Sequence, residues 1–443
     1  MAVGQADTVF YDAGPRMMVS KRDIMINDIA WKNRFRPSLL PAITFCLGVF
    51  MVGCGGGGGS SGGPAPAQQN VVIEVPSGVN ATENNAEVTL DWSTVEGVDG
   101  YNIYYSTNSD IDIDNPGAGS GQWVSDVTPP HVIAGLINNE TYYFVVTATD
   151  GERESDASTK VAATPMAGIS GRTIRTAQRL INPQDYQHSM SGFECADGQV
   201  VVGGGFQISD VEDQRAALRI HSSFPEYINP LGYRWNGHAF NAGSLEEESL
   251  KVKTQSICID EPAGFDHIGF AGRPPLPAGD SGLFSLMCPR GRFALSGGVK
   301  VGSTDDGRNL QFVYSQWDAD SIGRWNSILH NLGDSDAEGF TVNTFCTEPL
   351  RGLERKTRFT TRPNDWLTAG SFGELSVQCD ADKLAIHGGL WRPGEPEEQP
   401  ADLILQQSYA DPGDGRVWRV RAFNSTGEAV PMGAFAVCVA SDD

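Results

Sequence analysis

The cysteines are the residues whose type and spacing could do chemistry most directly. Two of the eight, Cys46 and Cys54, lie in an N-terminal apolar segment. The other six form pairs 63, 58 and 59 residues apart: Cys195 with Cys258, Cys288 with Cys346, and Cys379 with Cys438. An even number of widely spaced cysteines suggests disulfide bonds and an oxidising compartment. Because the pairs recur in a repeated pattern, we expect each bridge to lie within one repeat.

The cysteine pairs belong to a longer pattern that occurs three times. Two glycines stand nine and ten residues after each first cysteine, and a serine, a tryptophan and an asparagine then follow in order. The copies are Gly204-Gly205, Ser223, Trp235, Asn241; Gly297-Gly298, Ser315, Trp325, Asn331; and Gly388-Gly389, Ser408, Trp418, Asn424. Glycines inside strand-like patterns indicate a bulge or the close approach of a backbone or ring, and a ligand loop is the alternative. We expect the tryptophans in the core, with sugar-stacking platforms as the alternative.

Acidic residues follow the glycine pair in every copy and are the candidate cation ligands. They are Asp210, Glu212 and Asp213 in the first copy, Asp305 and Asp306 in the second, and Glu395, Glu397 and Glu398 in the third. In a threefold assembly these loops would emerge at one end, where a hard cation such as calcium, or a cationic ligand, would relieve the repulsion. The alternative is three solvated turns, screened over about 8 Å at physiological salt.

Other catalytic and metal-binding motifs are absent from the sequence or incomplete. The seven histidines form no His-x-His or His-Glu-x-x-His pair, and the chain has no phosphate loop or dinucleotide fingerprint. Gly279-Asp280-Ser281-Gly282 resembles the nucleophile motif of chymotrypsin-like proteases, but Leu283 follows it and no Ala-His-Cys stretch precedes it. Asp110, Asp112 and Asp114 alternate like the start of a calcium loop, but Asn115 replaces the required glycine. We therefore expect no catalytic residue and no cofactor other than calcium.

The elements that position these residues are β-strands. The chain has 443 residues, 52 of them glycine, with aromatic and β-branched alternation and no long helical period, which predicts an all-β protein of several domains. Its formal net charge of −23 argues against nucleic acid as a partner.

The N-terminus resembles that of bacterial lipoproteins. Lys32, Arg34 and Arg36 precede an apolar run, which ends at Met51-Val52-Gly53-Cys54 and is followed by a glycine- and serine-rich stretch. The resemblance implies removal of residues 1–53, with translation starting at Met1 or Met25, and acylation of Cys54. Because Gly55 follows instead of aspartate, it also implies placement in the outer membrane. An uncleaved signal anchor is the alternative. Residues 54–69 would form a flexible tether.

Residues 70–165 resemble the fibronectin type III fold. Val88, Leu90 and Trp92 alternate on one strand and Tyr101, Ile103 and Tyr105 on the next, while Leu136 stands six residues before Tyr142. The resemblance implies a β-sandwich with Trp92 in the core and Tyr142 as the tyrosine-corner residue. Such a domain is usually a spacer or a binding module.

Residues 166–443 contain three repeats, at about 168–262, 263–352 and 353–443. Each shows four strand-like segments, which predicts twelve strands. Cys288-Pro289-Arg290-Gly291 and the three-repeat plan resemble the β-prism of vitelline membrane outer layer proteins and some lectins. Three separate units and a trefoil-like closure are the alternatives.

Two classes of function fit this organisation. The first is a non-enzymatic, lipid-anchored envelope protein, in which the three-repeat module binds a glycan or another surface macromolecule and the fibronectin type III domain is a spacer. The second is a carbohydrate-active enzyme, a hydrolase or transferase that uses acidic loop residues. A structural envelope scaffold is a further alternative. The partners we expect are the membrane, through the acyl chains, and a glycan or surface protein.

Overall fold

The computed structural model describes residues 72–187, 190–209, 218–228, 232–243, 249–271, 275–301, 310–318, 321–337, 339–391 and 403–443. Within these ranges every regular element is a β-strand, apart from one 3₁₀ turn at Pro363–Asp365. The strands enclose two large, separate hydrophobic cores, one before and one after residue 165. The prediction of an all-β protein is confirmed.

The first unit is a β-sandwich of seven strands. They are β1 (Ser77–Asn84), β2 (Glu87–Ser93), β3 (Gly100–Ser106), β4 (Gln122–Val127), β5 (His131–Ala134), β6 (Tyr142–Thr149) and β7 (Val161–Ala163). One sheet has the order β1-β2-β5 and the other β4-β3-β6-β7, which is a fibronectin type III-like arrangement. Trp92 is buried with its ring edge against Tyr101, and the Ile137 N–H donates to the Tyr142 hydroxyl at 3.2 Å. Both side chains take the roles that the sequence predicted.

In its described residues the second unit contains eighteen strands, six from each repeat. Repeat 1 has β8 (Thr173–Ile181), β9 (Tyr186–Gln187), β10 (Gln199–Ser209), β11 (Leu218–Ile228), β12 (Gly232–Asn241) and β13 (Leu250–Asp260). Repeat 2 has β14 (Asp266–Ala271), β15 (Ser281–Met287), β16 (Phe293–Val301), β17 (Leu310–Asp318), β18 (Ser321–Asn331) and β19 (Phe340–Thr347). Repeat 3 has β20 (Glu354–Phe359), β21 (Phe372–Gln378), β22 (Lys383–Trp391), β23 (Leu403–Ala410), β24 (Val417–Asn424) and β25 (Gly433–Ala440).

The prediction of four strands per repeat was wrong, because the first two strands of each repeat were missed. Both precede the first cysteine and lie at the outer positions of the sheets. Strand β8, for example, carries exposed polar residues on most of its length and buries only its last residue, Ile181, completely. An edge strand of this kind lacks the apolar alternation from which strands are predicted.

Each repeat forms two three-stranded antiparallel sheets. The sixth strand lies between the first and third, as in β8-β13-β10, and the fifth lies between the second and fourth, as in β9-β12-β11. The third strand of one repeat then meets the fourth strand of another. At two such seams ladder pairs join the halves into six-stranded sheets, through Phe206 with Ser408 and Ser223 with Val299. The three repeats are therefore interlocked in a ring, not separate units.

The third seam, between β17 and β22, is wider. No ladder pair joins these two strands in the part of the chain that the structure describes. A side-chain hydrogen bond of 3.2 Å from Arg355 to Gln316 links the two repeats there. The ring therefore has two closed seams and one open seam.

The interior of the ring is one continuous core to which all three repeats contribute. Trp235, Trp325 and Trp418 are its largest buried side chains, and their rings surround His387 at centroid distances of 5.1, 5.2 and 5.7 Å. Phe435 lies beside the same imidazole, at 6.2 Å. Burial among these rings lowers the pKa of His387 to about 3, since the charged imidazolium is poorly solvated there. The core therefore holds the imidazole neutral.

This buried imidazole makes the stability of the ring sensitive to acid. The folded-state pKa of about 3 lies below the ordinary value of 6.5, so stability is fully present above pH 6.5 and declines as the pH falls towards 3. We expect the His387 contribution to fall by about 2 kcal/mol between pH 7.5 and pH 5. Urea unfolding at both pH values measures this loss. The free energy of unfolding should fall by about 2 kcal/mol more for the native protein than for His387→Asn, in which only the other groups titrate.

The half-exposed His131 of the first unit provides the control. His131→Asn should leave the pH dependence of ring unfolding as it is in the native protein. An identical pH dependence for native protein and His387→Asn would contradict the assignment.

Candidate functional site

The repeated cysteines form three bridges, Cys195–Cys258, Cys288–Cys346 and Cys379–Cys438. Each joins the segment before the third strand of a repeat to its sixth strand, as the repetition predicts. Their sulfur atoms are thus committed to covalent bonds and do not act as metal ligands or nucleophiles. The role of these residues is to hold the third and sixth strands together at one end of the ring.

The repeated tryptophans and serines also have a structural role. Each indole N–H donates to the serine hydroxyl of its own repeat: Trp235 to Ser223 at 3.0 Å, Trp418 to Ser408 at 2.9 Å, and Trp325 to Ser315. A buried indole N–H without a partner would be costly, so the serine removes that cost. The tryptophans are core residues, as expected, and do not form a sugar-stacking surface.

The first glycine of each pair lies directly under a tryptophan ring. A Cβ atom added to Gly204, Gly297 or Gly388 would lie 2.2, 2.5 or 2.6 Å from the nearest indole carbon. The second glycine lies at a seam. A Cβ on Gly205 would be 1.8 Å from the Ser408 carbonyl oxygen, and one on Gly298 would be 1.7 Å from that of Ser223. The glycines thus permit close approach within strands, and they do not form a ligand loop.

The repeated asparagines link the turns at one end of the ring. The Asn331 amide donates to the carbonyl oxygens of Leu276 and Ser335, both at 2.8 Å, and Asn424 makes the same pair of bonds with Leu367 and Glu428. Asn241 donates to Ile181 at 3.0 Å. Each asparagine connects the start of its own repeat to the turn before the sixth strand, so the whole repeated pattern serves architecture.

The acidic residues that follow the glycine pairs lie outside the described residues: Asp210, Glu212, Asp213, Asp305, Asp306, Glu395, Glu397 and Glu398. So does Cys54. The fourth strands, which begin after the acidic segments, are connected to one another. His221 donates to the Leu310 carbonyl, Gln311 to that of Leu403 at 3.4 Å, and Gln406 to that of Leu218 at 2.7 Å. The three segments therefore lead into strand ends that meet at one end of the ring, called here the distal end.

Other sequence candidates have local roles. The Ser281 hydroxyl lies 2.8 Å from His330 Nδ1, its cross-strand neighbour on β18. Asp112 accepts hydrogen bonds from the backbone N–H groups of Asp114 and Asn115, so it closes its own loop. Across the described ranges, no three His, Cys, Asp or Glu side chains are grouped so that they could hold a metal ion.

A shallow groove lies on the outer face of repeat 3 and was not predicted. It has a volume of about 250 Å³, and its polar lining residues are Glu374, Ser376, Gln407, Tyr409, Arg419 and Arg421. They come from three adjacent strands, β21, β24 and β23, in cross-strand register: Glu374 with Arg421 and Gln407, and Ser376 with Arg419 and Tyr409. Register and alternation thus bring six polar side chains together on one face.

Ion pairs and a ring contact hold the groove side chains in place. Arg421 pairs with Glu374, and its guanidinium carbon lies 4.5 Å from the centre of the Phe372 ring. Arg419 pairs with Asp411. Burial would raise the pKa of Asp411, but hydrogen bonds from the Gly413 N–H and from Arg419 lower it overall. Asp411 is therefore ionised at neutral pH and is not a proton donor.

One residue of the groove also lies next to repeat 1 across a seam. Gln207 on β10 of repeat 1 lies next to Tyr409 on β23 of repeat 3, because Phe206 and Ser408 pair across this seam. Burial is the main reason why the pKa of Tyr409 is raised, so its hydroxyl stays protonated and can donate. The sequence did carry a signal for this groove, because Arg419 directly follows the repeated Trp418 and Arg421 comes two residues later, whereas Asn236 and Asn326 directly follow the other two tryptophans.

Comparison with solved structures returns fibronectin type III proteins. The third fibronectin III domain of human KIAA0343 protein is 22% identical, with 24% of this chain and 94% of that chain covered and a TM-score of 0.19. Chicken interferon gamma receptor alpha chain is 11% identical, with 49% and 89% covered and a TM-score of 0.17. The FN1–FN3 domains of chicken CNTN1 are 12% identical, with 81% and 96% covered and a TM-score of 0.15.

These similarities are too low to assign anything beyond what the strand order of the first unit already establishes. No protein-family model matches the chain, and no curated protein matches it. Within the described ranges, no helix has the length and apolar character needed to cross a membrane.

Proposed function

We propose that the protein is a lipid-anchored binding protein of the bacterial cell envelope, in which a β-prism-like ring is carried on a fibronectin type III spacer. The chain order supports this proposal: the lipobox-like Cys54 comes first, then the glycine- and serine-rich tether, the sandwich and the ring. The proposed ligand is a glycan or another surface macromolecule, and the proposed location is the outer membrane.

The observation that carries the proposal is that the two ends of the ring differ, because the chain from the sandwich joins the ring at one end. The chain enters the ring where the sixth strands end: the Ile169 N–H donates to Ala440 at 2.9 Å, and the Arg351 N–H donates to Ala167 at 2.7 Å. The Asn139 amide of the sandwich also contacts Glu348 at this end, at 3.4 Å. Third strands run away from this end and finish at the distal end. A membrane anchor on the sandwich would therefore direct the distal end outwards.

By sequence, the segments that connect the third strand of each repeat to its fourth strand are rich in acid. A concentration of carboxylates favours hard divalent cations and cationic ligands. We propose a weak calcium or cationic-ligand site formed by the distal segments of all three repeats.

The enzymatic alternative, a glycan hydrolase or transferase, uses the same acidic segments. A catalytic pair of carboxylates would be needed in only one repeat, whereas a binding protein can use all three. Release of reducing sugar from any glycan that the protein binds distinguishes the two functions. Turnover that is lost in a carboxylate variant would favour the enzyme.

The lipid anchor is tested by metabolic labelling of cells with a palmitate analogue. The native protein should be labelled and recovered with outer membranes, because Cys54 becomes the acylated N-terminal residue. Cys54→Ala should be unlabelled, while Cys46→Ala serves as the control and should be labelled normally. Label that persists on Cys54→Ala would refute the lipoprotein assignment.

The cation site is tested by calorimetry of the mature protein with calcium. We expect saturable heat that disappears when Asp305 and Asp306 become alanine, since that change removes two proposed ligands. The matched control removes Asp334 and Asp336 from the neighbouring turn of the same repeat. Equal loss in both variants, or no heat at millimolar calcium, would leave the acidic segments without a specific ligand.

A further inference from the structure

The groove on repeat 3 contains a polar side chain without a hydrogen-bond partner among the described residues. Gln407 lines the groove and is only 6% exposed, yet its amide makes no hydrogen bond to any described residue. The amide group can donate two hydrogen bonds and accept two. The amide is therefore accessible from the groove, where a ligand can supply these bonds in place of water.

The two arginines of the groove have donors to spare. Arg421 uses one terminal nitrogen for Glu374, and its Nε is buried without a hydrogen-bond partner. Arg419 uses only its Nε, for Asp411. A guanidinium has five N–H donors in a planar fork, so each arginine can still donate to two adjacent oxygen atoms of a ligand. Packing on Phe372 fixes the orientation of Arg421.

The charge of the groove is balanced. Each arginine has its own carboxylate, Glu374 for Arg421 and Asp411 for Arg419, so no net positive charge remains to attract an anion. The remaining groups are uncharged: the Gln407 amide and the hydroxyls of Ser376 and Tyr409. Alternating donors and acceptors without net charge suit a neutral ligand that carries several adjacent hydroxyl groups.

Repeats 1 and 2 do not reproduce these side chains. The positions of Gln407, Tyr409 and Arg419 correspond to Ser222, Phe224 and Asn236 in repeat 1, as counted from the shared serine and tryptophan. Phe224 is buried, with Lys300 5.4 Å from its ring centre. The ring is repeated in its architecture but not in its outer faces, so the groove is a single site.

We propose that this groove binds a neutral oligosaccharide, one sugar unit of which donates and accepts hydrogen bonds with Gln407, Arg419 and Arg421. The inference deepens the proposed function, because it names the ligand class and the residues of an envelope binding protein. It rests on that function for its biological setting only. Binding itself does not depend on the lipid anchor.

The test is an array of neutral and anionic oligosaccharides probed with the mature, full-length protein, followed by calorimetry with the strongest neutral hit. We expect saturable binding, at least tenfold weaker in Gln407→Leu. This substitution replaces an amide that makes no hydrogen bond to a described residue with an apolar side chain of similar size, so folding should be retained. Ser222→Ala, at the equivalent position of repeat 1, is the matched control and should bind like the native protein.

The outcomes separate the two proposals. Unchanged affinity in Gln407→Leu would overturn the groove as the site while leaving a glycan-binding protein intact. Binding of anionic glycans alone, or of none on the array, would overturn the neutral-saccharide assignment. The labelling of Cys54 tests the envelope placement independently of these results.

Discussion

The ring depends on the close approach of polypeptide backbones that only a residue without a side chain allows. One glycine of each repeated pair lets a tryptophan ring lie against its strand. At the two closed seams the other lets the third strand of one repeat approach the fourth strand of its neighbour, as at Gly298 and Ser223. Because protein interiors have few voids, an atom added at these positions would force the neighbouring strands or side chains to move. The position of the glycines therefore fixes the distance between the repeats.

The remaining features follow from that distance. Once the third and fourth strands meet, the three tryptophans converge on His387, and serine hydroxyls satisfy their buried N–H groups. The disulfides hold the third strand to the sixth at the end where the sandwich enters. The same meeting of repeats 3 and 1 places Gln207 beside Tyr409, which lines the groove.

Sequence reasoning was strong where the chain repeats itself. The cysteine pairs, the buried tryptophans and the close-packed glycines were predicted, because a constraint imposed three times leaves the same residue three times. Trp92 and Tyr142 likewise identified the sandwich. The first two strands of each repeat were missed because edge strands such as β8 carry little apolar pattern.

The order in which repeats meet could not be read from the sequence either. The contact of β23 with β10 joins residues such as Phe206 and Ser408 that are far apart in the chain, and no local pattern specifies it. The groove was missed for a related reason. Gln407 and Arg421 become neighbours only through the β23–β24 register, and their difference from the other repeats has meaning only after the repeats are superposed.

The central claim is that glycines at the closed seams allow the close strand contacts that hold the ring together. Two glycine-to-alanine variants test this claim most directly. Gly298 lies at a closed seam, where an added Cβ would be 1.7 Å from the Ser223 oxygen; Gly389 lies at the open seam, where the Ser315 oxygen would be 4.0 Å away. Unfolding in guanidinium chloride, followed by tryptophan fluorescence, should show Gly298→Ala destabilised by about 3 kcal/mol or more. Gly389→Ala should be destabilised clearly less, because its Cβ would meet no backbone closer than 4.0 Å and only the Phe435 ring at 3.1 Å, which a small ring movement relieves. Equal stability of the two variants would contradict the account.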